Sequence, residues 1–159
     1  MSAVKITPFL WFNNNLEEAM QFYAAIFKNA KFEVLSRWGE GGMAPAGTAM
    51  SGSFELEGQH FMALNGGPMF QFTEAISFFV NCETQEEVDM YWEKLSDGGA
   101  KSRCGWLKDK FGLSWQIIPS ALGKLMHSKD AAVSKRVTQA MMKMDKIIIA
   151  DLEKAAAES

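Results

Sequence analysis

The sequence predicts an α+β fold built from two consecutive strand–helix–three-strand units, followed by C-terminal helices. Three observations carry this. The two predicted helices share local text, with Glu17-Glu18 followed by Phe22-Tyr23 and Glu86-Glu87 followed by Tyr91-Trp92. Each helix follows a short apolar run, Ile6 to Phe12 or Ala75 to Asn81, and precedes an Ala-Lys pair, Ala30-Lys31 or Ala100-Lys101. Each half then closes on a hairpin with glycine at its bend. Self-similarity of this kind marks a repeated supersecondary unit. The units fall at about 4–65 and 75–119. Residues 1–120 thus form paired βαβββ modules, expected to make one rolled, cup-shaped mixed sheet, and 121–159 extend the same domain.

In order along the chain, Ile6 to Phe12 is apolar enough for a buried strand. Asn13-Asn14-Asn15 supplies a helix cap, and Glu17 and Glu18 sit where the helix dipole favours negative charge. Ala19, Phe22, Tyr23, Ile26 and Phe27 form one helical face. Lys31 to Trp38 reads as a strand, and Gly39 to Gly47 as a flexible connection. Thr48 to Leu56 and His60 to Leu64 make a hairpin around Glu57-Gly58-Gln59, with a turn at Asn65-Gly66-Gly67-Pro68. In the second half, Thr84 caps a helix with Val88, Tyr91, Trp92 and Leu95 on its apolar face, and Asp97-Gly98-Gly99 stops it. Cys104 to Pro119 reads as two strands joined at Asp109-Lys110-Phe111-Gly112. Leu113, Trp115 and Ile117 alternate with Ser114, Gln116 and Ile118, so a greasy face backs a face that carries a Gln. After a short helix around Leu122 to Met126, a long helix is expected from about Asp130 to Ala157. Its stripe of Val133, Val137, Met141, Met144, Ile148 and Leu152 can pack on its own domain or across a partner subunit.

Composition excludes several classes. With 159 residues, 48% apolar and 22% charged, one soluble globular domain is the prior. The net charge of −3 and the absence of a long basic stretch argue against a nucleic-acid partner. No apolar run can cross a bilayer, and Met1-Ser2-Ala3-Val4-Lys5 leads straight into a strand-like run, so neither a membrane partner nor a leader is expected. Cys82 and Cys104 lack metal-type spacing and read as reduced, small buried groups in a cytoplasmic protein.

The doubled pattern, Phe22-Tyr23 and the Asp109–Gly112 bend resemble the vicinal-oxygen-chelate superfamily, which includes glyoxalases, extradiol dioxygenases and bleomycin-resistance proteins. Ile6 to Phe12, Ala75 to Val80, Cys104-Gly105-Trp106 and Gly112 to Gln116 are similar to its PhnB-like branch, often labelled demethylubiquinone methyltransferase-like. The resemblance implies the glyoxalase/bleomycin-resistance fold. The methyltransferase label gains nothing from the residues, because Gly39–Gly47 lies between strand candidates and does not open a helix. In metal-using relatives, four side chains from the first and last strands of the modules bind a divalent ion. Carried over by position, these places fall on Pro8, Ala75, Met62 and Gln116, and only Gln116 offers a ligating oxygen. No metal and no other cofactor is therefore expected.

Alternation assigns Pro8, Leu10, Phe12, His60, Met62, Leu64, Ala75, Ser77, Phe79, Ser114, Gln116 and Ile118 to an inner, mostly apolar surface. The expected ligand contacts are Pro8, His60, Met62, Ser77, Trp106, Ser114 and Gln116. Trp38 and Trp106 can stack on a flat ligand, and Arg37 and Arg103 can meet an anionic one, although each also has an ordinary structural role. These residues point to a metal-independent, homodimeric small-molecule binding protein. A lyase or isomerase with His60 as base and Gln116 orienting substrate is the alternative, and a sequestering protein without catalysis is another. His127 reads as a surface residue.

Overall fold

The computed structural model describes residues 4–158. Its contacts divide the chain into two compact units, one ending at Phe72 and one beginning at Thr73.

The first unit runs β1 (Phe9–Phe12), α1 (Leu16–Ile26), β2 (Ala30–Arg37), β3 (Ala49–Leu56) and β4 (Gln59–Asn65). Its sheet has the order β1-β4-β3-β2, with β1 parallel to β4 and the other pairs antiparallel. The β3–β4 turn is tight because Glu57 and Gly58 both take left-handed backbone angles, φ 48° and 86°. That is the primed turn whose twist suits a hairpin. The Glu57 carboxylate also accepts from the Asn29 side-chain amide at 2.9 Å, pinning the bend to the connection between α1 and β2. Strand β1 is shorter than the apolar run suggested. Ile6 is 86% exposed, and pairing starts where the Met62 amide donates to the Pro8 carbonyl.

The cap on α1 differs from expectation. Asn15 occupies the N-cap position but makes no side-chain capping bond. Asn65, buried at the end of β4, does the capping instead. Its Oδ1 accepts from the Leu16 amide at 3.0 Å, and its Nδ2 donates to the Ala49 carbonyl at 2.8 Å. One side chain therefore ties the start of α1, the start of β3 and the end of β4 together. Above it, α1 lays Leu16, Ala19, Met20 and Tyr23 onto the sheet's inner face of Phe12, Phe54, Phe61 and Ala63, all nearly inaccessible. Gly52 permits the approach, since a Cβ there would meet the Met20 side chain at 2.9 Å.

The second unit repeats the plan with β5 (Ser77–Cys82), α2 (Gln85–Ser96), β6 (Ala100–Lys101), β7 (Trp106–Lys108) and β8 (Ser114–Pro119). Its order, β5-β8-β7-β6, is the same, again with the outer pair β5–β8 parallel. The expected duplication is thus present. Thr84 caps α2 as expected, accepting from the Glu87 amide. The Asp109 bend is more than a turn. Its buried carboxylate accepts from the Phe111 and Leu113 amides and, through Oδ2, from Trp115 Nε1 at 2.9 Å.

The single long C-terminal helix is not found. Three helices follow β8, namely α3 (Ser120–Met126), α4 (Ala131–Met141) and α5 (Ile149–Ala157). The helix breaks because residues 142–148 have better partners elsewhere. The Met144 and Asp145 carbonyls accept from the Cys104 and Gly105 amides. The Gln85 side chain clamps the entry to α5, donating to the Ile147 carbonyl and accepting from the Ile149 amide. Three successive β-branched residues also weaken any helix there. The apolar positions pack into their own cluster, with Ile118, Leu122, Val137, Ile147 and Leu152 buried together. Arg136 closes it by donating to the Ala155 and Ala156 carbonyls at the end of α5.

Two expectations follow for stability. Replacing Asn65 with Ala leaves two buried backbone groups unmet and should lower the unfolding free energy by about 2–4 kcal/mol in urea titrations followed by Trp fluorescence. Cys82, fully buried, has its thiol pushed up to about 12, first by burial and then by Glu87 and Glu83. Folded Cys82 keeps its proton where the unfolded thiol has lost it, so its contribution is complete below about 9 and is lost as pH rises toward 12. Iodoacetamide at pH 8.5 should modify half-buried Cys104 first and reach Cys82 only on unfolding, and Cys82→Ala should flatten the alkaline fall in stability.

Candidate ligand-binding site

Each sheet has one face under its helix and one face left open by it. In the second unit, Trp115 and Ile117 lie on the buried side with Val88, Trp92 and Leu95 of α2. Strand alternation then sends Ser114 and Gln116 to the opposite face. Register adds their neighbours. Ser77 is level with Ser114, and Phe79 with Gln116, on β5. Trp106 lies opposite Gln116, and Lys108 opposite Ser114, on β7. Four of the expected contacts, Ser77, Trp106, Ser114 and Gln116, therefore share one face.

The polar groups on this face are unequally satisfied. Gln116 Nε2 donates to Ser77 Oγ at 2.9 Å. Ser114 is 1% exposed, and its hydroxyl has no hydrogen-bond partner among the described residues. Beside it opens a hollow of about 450 Å³ whose walls include Trp106, Arg103, Lys101, Lys108 and Glu74. Lys108 pairs with Glu74 and holds that carboxyl below the usual carboxylate range. Lys101 reaches both carboxylate oxygens of Glu93 at 2.9 Å. Lys108 and Glu74 were not anticipated from the sequence. The β7–β8 register that places Lys108 depends on turn length, and Glu74 lies in a loop with no periodicity to read.

In the first unit the alternation reading of β1 needs correction. The parallel register sets Phe9 level with Met62 and Trp11 level with Leu64, so these four share the open face. Leu10 and Phe12 instead face the core, at 7% and 2% exposure. Pro8 precedes the strand, is half-buried and falls on the parity of Leu10 and Phe12. His60 and Met62 do share the open face. His60 stands opposite Glu55, with Nε2 3.3 Å from Oε2, and Lys31 Nζ approaches the same oxygen at 3.3 Å. The imidazole is 54% exposed. Glu55 was missed because cross-strand pairing is invisible until register is known.

Two further candidates have structural occupations. Arg37 grips Glu17 with both Nη atoms, at 3.2 and 3.1 Å, and donates to the Gly47 carbonyl, so it is not free for an anion. Trp38 follows β2 and closes the Gly-rich loop, its amide and carbonyl bonding Thr48 and Gly47. His127 is exposed and contacts the Gly123 carbonyl through Nδ1.

The donor set does not fit the divalent ion used by metal-dependent proteins of similar fold. Pro8 and Ala75 have no side-chain donor and Met62 offers only a thioether, which leaves the Gln116 amide oxygen as the single hard ligand of the four. Among the described residues no group of three or more His, Cys, Asp or Glu is placed to hold a metal.

Comparison with known proteins gives the family. Residues 4–118 match the family described as 3-demethylubiquinone-9 3-methyltransferase. A putative 3-demethylubiquinone-9 3-methyltransferase, PhnB protein, from Bacillus cereus is 39% identical, with a TM-score of 0.69 over 74% of this chain and 100% of that one. The protein PA1353 from Pseudomonas aeruginosa shares the fold at 21% identity, with a TM-score of 0.60 over 74% of this chain and 98% of that one. No curated protein matches. The expected resemblance to the PhnB-like branch therefore holds, and the chain belongs to the PhnB-like family that carries this methyltransferase description.

Proposed function

We propose that this protein binds a small molecule without a metal ion, using the open face of its second sheet, as a cytoplasmic homodimer. One observation carries the binding reading: Ser77, Ser114, Gln116 and Trp106 share a face beside a hollow of about 450 Å³. That volume suits a drug-sized or smaller ligand, and the lining sets charged and polar groups beside the apolar Trp106 and Leu107. His60 and Met62 are the contacts we assign to the first unit; Pro8, on the core-side parity of β1, is not among them. The dimer is supported by large apolar side chains left in water, among them Ile76 at 68%, Phe79 at 59% and Phe9 at 52%.

Methyl transfer is not part of the proposal. The Gly39–Gly47 segment joins antiparallel strands β2 and β3, whereas a nucleotide-type donor site needs a glycine turn that opens a helix. A second reading, a lyase or isomerase with His60 as base and Gln116 orienting substrate, is favoured by the Glu55–His60 contact, because a carboxylate 3.3 Å from Nε2 can fix the orientation of the imidazole. Sequestration without turnover would use the same binding face, and product formation by a bound compound separates these readings.

Elemental analysis of dialysed protein should give sub-stoichiometric Zn, Ni, Mn and Fe, and an equivalent of any of them lost in Gln116→Ala would overturn the metal-free reading. A thermal-shift panel of flat and acidic metabolites should yield hits that Gln116→Ala weakens about tenfold. Hits indifferent to that substitution would move the site elsewhere. Light scattering should return the dimer mass at micromolar concentration.

A further inference from the structure

The hollow beside Ser114 is chemically lopsided. Three cations line it, Lys101, Arg103 and Lys108, against one lining carboxylate, Glu74. Lys108 is paired with Glu74, and Lys101 with Glu93, which lies outside the lining. Arg103 is exposed and its guanidinium has no carboxylate partner among the described residues. The wall is thus left with an excess positive charge and an unclaimed planar donor, the group best suited to oxyanions. On the same wall, Ser114 offers a buried hydroxyl with nothing to bond. A buried hydroxyl left unmet costs stability and is the exception in folded proteins.

We infer that this hollow takes a small organic anion, a carboxylate carried on a flat apolar body. The oxyanion sits at Arg103, a ligand oxygen accepts from Ser114, and the flat body lies along Trp106. This rests on the binding reading above and narrows it to a substrate class. A cationic ligand would meet the excess positive charge and the unpaired Arg103, and a wholly apolar one would leave the Ser114 hydroxyl unmet. A neutral isostere would lose the Arg103 interaction alone, which makes it the informative control.

The test uses the full-length protein, labelled with ¹⁵N and titrated at low salt with benzoate and, separately, with benzamide. Benzoate should shift the amides of residues 100–118, and benzamide should bind at least tenfold more weakly. Arg103→Gln and Ser114→Ala should each weaken benzoate about tenfold. Ser114→Ala should also leave the melting temperature unchanged or raised, because it removes an unsatisfied group. Added salt should weaken benzoate and not benzamide. Equal binding of the two probes, or binding indifferent to both substitutions, overturns the anion inference while the thermal-shift panel still judges the binding reading. No benzoate shift in this segment overturns it as well. A lowered melting temperature in Ser114→Ala shows that the hydroxyl has a structural partner and removes it from the site.

Discussion

Everything functional in this protein depends on the parallel pairing that closes each module. β1 joins β4, and β5 joins β8, at a fixed register. Because side chains alternate strictly, a slip of one residue would exchange the buried and open faces of the opening strand. In the second unit the pairing puts Trp115 and Ile117 under α2 and leaves Gln116 and Ser77 within hydrogen-bonding distance. The core and the binding face are two consequences of one register.

Each unit reinforces its register with a buried polar side chain that spans several backbone segments. In the first, Asn65 ends the closing strand and bonds backbone groups at Leu16 and Ala49. In the second, Asp109 starts the closing hairpin and gathers the amides of Phe111 and Leu113 together with the Trp115 indole. Both are charged or amide groups almost out of water, at 4% and 2% exposure, and both are fully engaged. Such groups penalise any alternative pairing, since a shifted strand would leave them buried and unmet.

Much of this was legible in the amino-acid order, and the exceptions have identifiable causes. The duplication, the Thr84 cap and the β8 alternation could be read because repeated text, capping chemistry and period-two patterning are local signals. The parity of β1 could not. Four apolar residues in a row, Phe9 to Phe12, carry no alternation, so only pairing with β4 separates Phe9 and Trp11 from Leu10 and Phe12. The cap on α1 was misplaced because the acceptor that caps it, Asn65 Oδ1, lies 49 residues away. The C-terminal helix was overextended because the apolar stripe keeps helical spacing through Met144 and Ile148, while the competing partners, Cys104, Gly105 and Gln85, are distant in sequence. At the site, residue types on β8 announced themselves, whereas Lys108 and Glu55 emerged only with cross-strand register and Glu74 only with the loop that brings it to Lys108.

The strap formed by residues 142–148 has a bearing on how the chain matures during synthesis. Gly105 is held at φ 84°, with Ile147 Cγ1 3.2 Å from where a Cβ would stand, so the β7 approach and the strap are built around each other. Ile118, at the end of β8, meets Ile147 and Leu152 in one cluster. While the ribosome is still adding that segment, the second module has its strands but lacks a lid over Ile118, and the nascent chain carries an uncovered greasy edge. The last turns of chain therefore seal the half that carries the hollow.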